Sequence, residues 1–196
     1  AFDLQDEGRP WPMLTDLNGT LDLFNDRIDL DISAGALSLP AGERVRLSEI
    51  SARLIDLEGE PVLTVNGQTD APAQTYLALF DDTALRDIAP AFVREFTGKG
   101  NWQMPLSLKV PLADVAQTTF AGELALNGGE VAYGTSPVLT EVQGVALLSE
   151  KGFEADGLSA KVLGGEVKLS GGINDKQDAV RAIGQLGWRE VGAFTQ

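Results

Sequence analysis

Along most of the chain, apolar and polar residues alternate with period two. In Leu17-Asn18-Gly19-Thr20-Leu21-Asp22-Leu23 the apolar positions are odd. After Asn25-Asp26 they become even, Ile28, Leu30 and Ile32, with Asp29 and Asp31 between them. Alternation places one residue class on each face of a strand, so this stretch predicts a hairpin with an apolar and a charged face. Leu37-Ser38-Leu39 stops at Pro40, and Val45, Leu47, then Ile50, Ala52 and Leu54 continue in the same style. Glu58-Gly59-Glu60-Pro61 predicts a turn into a short strand from Val62 to Val65.

The rhythm changes once. Between Pro72 and Phe96 the apolar residues Leu85, Ile88, Phe92 and Phe96 recur every three or four positions, the helical period. Asp81 or Asp82 is the expected N-cap and Gly98 the C-terminal stop. Pro90 lies inside, which predicts two short helices or one kinked helix.

Alternation then returns. Trp102, Met104, Leu106, Leu108, Val110 and Leu112 are all even, and Pro105 and Pro111 on the other parity suggest an edge strand or one with a free outer side. Phe120, Leu124 and Leu126 follow, then the turn Asn127-Gly128-Gly129, Val131 and Tyr133. Val142 to Leu148, a turn at Glu150-Lys151-Gly152, and Phe153 to Val162 come next. Gly164-Gly165 turns into Val167 and Leu169, a strand expected to end at Gly171-Gly172. Ala179 to Gln196 reads as one more strand, without a partner. Turns spaced by about 8–12 residues mark an antiparallel meander. Gly-Gly-Glu-Val occurs at Gly128 to Val131 and again at Gly164 to Val167, a shared turn chemistry too short to be an internal repeat.

About eleven one-sided strands would carry an apolar face on the order of 1200 Å². Two short helices would cover about a quarter of it. Sheets of this size curl or split. The remainder is therefore shielded by a second sheet, as in a closed sandwich, or left as an open trough for an apolar ligand. Aromatic residues are only 7% and the inward positions are mostly Leu, Val and Ala, which suits acyl chains. Alternation alone leaves both architectures open.

Composition narrows the chemistry. The 196 residues contain no Cys and no His, so thiolate and imidazole chemistry, disulfides and the common zinc, haem and iron–sulfur sites are excluded. A net charge of −14 disfavours nucleic acid and anionic headgroup surfaces, and is expected on the water-facing side of the sheet. No run of 18 apolar residues occurs, and the chain opens on Ala1-Phe2-Asp3, which reads as a piece of something longer. Asp22, Asn25, Asp26, Asp29 and Asp31 offer oxygen ligands, but they are spread over two strands without the spacing of a calcium loop, so no metal is expected. Chance carboxylate pairs are expected among 29 acidic residues, and nothing marks a catalytic pair, so the chain is not expected to be an enzyme or to hold a cofactor. Asn18-Gly19-Thr20 matches a glycosylation sequon but sits inside a strand, and reads as accidental.

Four stretches resemble the AsmA-like envelope proteins, specifically their YhdP branch, over Asp16 to Gly172. They are Leu17-Asn18-Gly19-Thr20-Leu21; Val65 to Pro72 leading into the helical piece; Leu106-Ser107-Leu108-Lys109-Val110-Pro111-Leu112; and Val142-Gln143-Gly144 to Phe153 followed by Leu158 to Gly165. The resemblance implies a mainly β protein: a long curled antiparallel sheet forming an open groove, with one short helical insert around residues 72–97. Residues 1–196 would form a single groove segment of a longer protein, 179–196 beginning the next. It further implies the periplasmic portion of an inner-membrane-anchored protein that moves phospholipid towards the outer membrane and maintains the envelope barrier. On this view the groove is lined by Leu21, Leu23, Ile28, Leu30, Ile32, Trp102, Met104, Leu106, Leu108, Val110, Phe120, Leu124 and Leu126. The expected partners are phospholipid acyl chains and adjacent groove segments of the same chain. Edge-to-edge self-association through the last strand is a further expectation. The alternative function is a structural or partner-binding β-sandwich with a closed core and no ligand. The insert is expected either to lid one end of the groove or to seal the core.

Overall fold

A computed structural model describes residues 10–87, 91–114, 117–174 and 177–184. Twelve strands are present among them. The first four are β1 (Met13–Leu23), β2 (Arg27–Ser38), β3 (Arg44–Ile55) and β4 (Val62–Pro72). Helix α1 (Ala73–Asp81) and two 3₁₀ turns, Ala84–Asp87 and Ala91–Glu95, lead into β5 (Phe96–Lys99). Then come β6 (Asn101–Pro111), β7 (Thr119–Asn127), β8 (Glu130–Tyr133) and β9 (Thr140–Ser149). The last are β10 (Gly152–Val162), β11 (Gly165–Asn174) and β12 (Gln177–Gly184).

Ten strands form one antiparallel sheet in the order β1-β2-β3-β4-β6-β7-β9-β10-β11-β12, while β5 and β8 pair separately. The end strands β1 and β12 do not pair with each other, so the sheet curls without closing into a barrel. No second sheet of comparable size faces it among the described residues, and the closed sandwich does not hold.

Register explains how the sequence keeps one face apolar. Leu21, Leu30, Ala52, Val65, Leu108 and Phe120 are successive cross-strand neighbours from β1 to β7. Leu23, Ile28, Leu54, Leu63 and Val110 form a parallel row two residues away. The outer face carries the charges: Asp22, Asp29 and Arg53 are neighbours, and Arg46 lies 3.3 Å from Asp70.

In three strands the apolar positions change parity, and a bulge marks each change. Leu14 gives way to Leu17, Leu21 and Leu23 around Asp16, whose φ is 52°. Val45 and Leu47 give way to Ile50, Ala52 and Leu54 across Glu49, whose φ is 53°. Phe153 and Ala155 give way to Leu158 and Ala160 across Gly157, at φ 72°. An inserted residue turns the following side chains over and bends the strand. Asn18, Ala34, Ser48 and Gln68 are consecutive register partners, so the bulges of β1 and β3 share one line across the sheet, which meets β6 at Pro105. This line is a crease about which the strands bend.

Several sequence expectations need correction. The helix begins at Ala73, directly after Pro72 and without a side-chain cap, and its first N–H donates to the Gly100 carbonyl 2.9 Å away. Asp81 and Asp82 therefore end α1 instead of starting it, and Phe96 and Gly98 belong to β5. β6 is an interior strand, not an edge: its ladder to β7 passes from Gln103↔Ala125 to Leu106↔Gly122 without a register change, stepping over Pro105, which has no N–H to give. β11 continues through Gly171-Gly172, where a Cβ at 172 would strike the Phe153 carbonyl of β10, so close approach explains the glycine. The last strand starts at Gln177 and is not partnerless, since it pairs with β11 from Asn174 to Val167. The rest of the expected 179–196 segment, and Ile88 and Pro90 of the helical piece, lie outside the described residues.

Candidate functional site

The apolar face has two unequal halves. On one, α1 and the β5–β8 pair lie over the sheet. Tyr76 of α1 stacks on Trp102 of β6, with ring centroids 6.2 Å apart and planes at 27°. The Tyr76 hydroxyl donates to Thr69 Oγ1 at 2.7 Å, and Thr69 donates onward to the Met104 carbonyl at 2.9 Å. Burial pushes the Tyr76 hydroxyl up to about 12, against the lowering effect of its bond to Thr69, while the nearby Asp70 charge adds to the rise. Phe96 of β5 meets Tyr133 of β8 at 5.0 Å and reaches Phe153 of β10 at 5.6 Å. One continuous core results, from Leu39 and Val45 through Trp102, Met104, Leu124 and Leu126 to Val167 and Leu169.

On the other half nothing lies over the sheet among the described residues. The rows Leu21 to Phe120 and Leu23 to Val110 pack only sideways on one another. Ile28, Leu30, Leu54, Leu63, Val65, Leu108, Val110 and Phe120 stay half-buried, and at the β1 edge Leu21 and Leu23 are 58% and 69% exposed. A smaller cluster, Ile32, Leu47 and Ile50, anchors this half beside the crease.

The expected groove-lining residues therefore separate. All thirteen share one face, as the alternation requires. Trp102, Met104, Leu124 and Leu126 are core beneath the insert, and Ile32 is core of the smaller cluster. Leu21, Leu23, Ile28, Leu30, Leu106, Leu108, Val110 and Phe120 remain on the uncovered side. Ala52, Leu54, Leu63 and Val65, which the sequence does not single out, complete the two rows. Their signal was the same alternation, but without the register nothing tied β3 and β4 to this strip.

The acidic hairpin residues do not converge. Asp29 is held by Arg27 at 3.1 Å and Arg53 at 3.9 Å, and no group of three possible ligands gathers among the described residues. Nor is any helix among them long and apolar enough to cross a membrane.

A family model described as YhdP protein matches residues 4–192. The chain belongs to the YhdP family. The match agrees with the resemblance carried by Asp16 to Gly172 and extends it at both ends. No curated protein and no solved structure matches this YhdP chain. Within this family match the apolar face of the chain is half roofed by an insert and half bare.

Proposed function

We propose that the uncovered half of the apolar face carries the acyl chains of phospholipid, as one segment of a groove that moves lipid through the periplasm. The parent protein would be anchored in the inner membrane and serve the barrier of the outer membrane, with adjacent segments of the same chain continuing the trough. The observation that carries this reading is the pair of apolar rows with no element over them. Isolated exposed Leu residues are ordinary on protein surfaces, but two aligned rows, one across six strands and one across five, are not.

The strip spans about 24 Å across the strands, enough for an extended acyl chain, and offers no hydrogen-bonding side chain that would hold a headgroup. Covering apolar area contributes about 25 cal/mol per Å² relative to water. A bilayer interior offers the same shielding, so exchange between bilayer and groove is close to balanced and needs no bond chemistry. No residue set suggests catalysis, and the function proposed is passive conduction.

The test is a photo-crosslinking amino acid at Leu108 in the full-length protein in cells, with Leu124 and the outer-face Thr64 as comparison positions. Phospholipid adducts at Leu108 and not at the other two are expected. Absence of phospholipid at Leu108, or equal capture at Thr64, would overturn the reading.

A further inference from the structure

The apolar path does not stop at Phe120. Beside the two bare rows a third runs on the same face: Leu106, Gly122, Leu148, Phe153 and Ile173 are successive register partners from β6 to β11. Its four side chains are half-buried, as are most of those in the row that ends at Phe120. Two boundaries confine it. On one side Leu124, Ala146 and Ala155 form the next row, and all three are buried. On the other side the strands run out: β9 ends at Ser149, β10 begins at Gly152 and β11 ends at Asn174, so the two bare rows have no members there. Rows on one face lie two residues apart, about 7 Å along a strand. The strip is thus two bare rows wide from β1 to β6 and a single row wide from β9 to β11.

Phe153 stands in the middle of that single row, and the insert reaches it. The Phe96 ring of β5 meets it edge-on, with centroids 5.6 Å apart and planes at 73°, and Tyr133 of β8 backs Phe96 at 5.0 Å. Gly122 lies where the strip passes from two rows to one, and carries no side chain between Leu106 and Leu148. We propose that Leu148, Phe153 and Ile173 form the neck of the trough, and that Phe153, braced by Phe96, determines how readily acyl chains pass between the first strands and the last. This inference rests on the lipid reading above. The two acyl chains of a phospholipid can lie side by side on two rows, but over one row they must follow one another. Between the buried row and the strand ends there is no alternative apolar route, so a side chain added at the neck obstructs the path, and one added elsewhere on the sheet does not.

The experiment uses the full-length protein in cells, with a photo-crosslinking amino acid at Leu108, on the wide side, or at Ile173, beyond Phe153. The ratio of phospholipid adducts at the two positions is measured. Both should capture phospholipid in the wild type. Gly122→Phe places a ring on the path; a Cβ there would meet the flexible Met104 side chain at 3.1 Å. It should change the ratio by about fivefold or more, as for bulk forced into a site without spare room. Leu148→Trp repeats the obstruction from the next strand, so that loss of the fold in one variant leaves the other to decide. Glu123→Phe sets the same ring on the outer face and should leave the ratio unchanged. Phe153→Leu removes the ring that Phe96 braces, and should raise capture at whichever position gives the smaller yield. Capture at Leu108 with none at Ile173 would mean that the path ends at Phe120, which overturns the neck and leaves the lipid reading standing. A ratio unmoved by Gly122→Phe and Leu148→Trp in variants that keep the wild-type thermal midpoint, or moved as far by Glu123→Phe, would overturn it too. No capture at Leu108 would instead remove the lipid reading, and the neck with it.

Discussion

The indole of Trp102 lies against the α-carbon of Gly98, so that a Cβ at 98 would come within 2.7 Å of the ring atom Cζ2. This contact joins β5 of the small sheet to β6 of the large one, and Ala73 at the start of α1 crowds the same spot at 3.2 Å. Gly98→Ala must therefore push the ring aside, and the ring is rigid and packed beneath Tyr76. A loss of about 1–3 kcal/mol is expected, the usual cost of overpacking, read as a lower urea midpoint with unchanged slope. An unchanged midpoint would show that the insert is not tightly seated on the sheet.

Tyr76 gives the stability a defined alkaline limit. Its hydroxyl ionises at about 12 in the folded chain and near 10.0 when unfolded. A folded value above the unfolded one means a stabilising contribution present in full below pH 10 and lost as pH rises towards 12. Two units correspond to roughly 2–3 kcal/mol. Urea unfolding of the wild type and Tyr76→Phe between pH 9 and 12 checks this. Wild type should be the more stable at pH 9, by about 1 kcal/mol for the lost hydrogen bond, and should lose that lead above pH 10. A gap independent of pH would contradict the assignment.

The two halves of the apolar face should answer differently to truncation. Leu124→Ala removes a side chain from a filled core and should cost about 2–4 kcal/mol. Leu108→Ser alters a half-buried side chain with nothing above it and should cost about 1 kcal/mol or less, while reducing phospholipid recovered with the full-length protein. Thermal unfolding together with lipid extraction separates the two effects. Equal destabilisation would mean that the strip is covered after all.

The crease makes a prediction of its own. Glu49 sits at φ 53°, a conformation that a β-branched residue tolerates badly. Glu49→Val should lower stability by about 1–2 kcal/mol, whereas Glu49→Gly should be close to neutral or mildly stabilising. Calorimetric midpoints of the two variants decide it, and a stable Val variant would show that the bulge does not depend on the local backbone.

Much of this architecture is legible in the residues because it depends on a period of two. The one-sided strands, most turns and the helical interruption all follow from that period. The parity changes, from Leu47 to Ile50 and from Ala155 to Leu158, already sit in the sequence as flaws in the alternation, and each is a bulge. What could not be read were facts decided at a distance. β8 has the pattern of any other strand, but it leaves the large sheet because Phe96 to Lys99 comes back to pair with it. Leu124 and Leu108 have the same parity and chemistry, yet one lies under the insert and the other lies bare. The start of α1 at Ala73 was hidden because the backbone of Gly100, rather than a polar side chain, meets its first N–H.

The strand order of the large sheet has a kinetic consequence. Every strand pairs with the strand before it in the chain, apart from the short excursions to β5 and β8. Loop closure is therefore short at nearly every step, and an arriving strand needs only the previous one as its template. Such a sheet can be laid down progressively from the N-terminal end during synthesis, each hairpin adding to a growing edge. The β5–β8 pair is the exception, since β5 must wait for β8, with β6 and β7 made in between. Docking of Phe96 onto Phe153 comes later still, after β10 is in place, which makes closure of the roof a late event and the bare half of the trough the first part to exist.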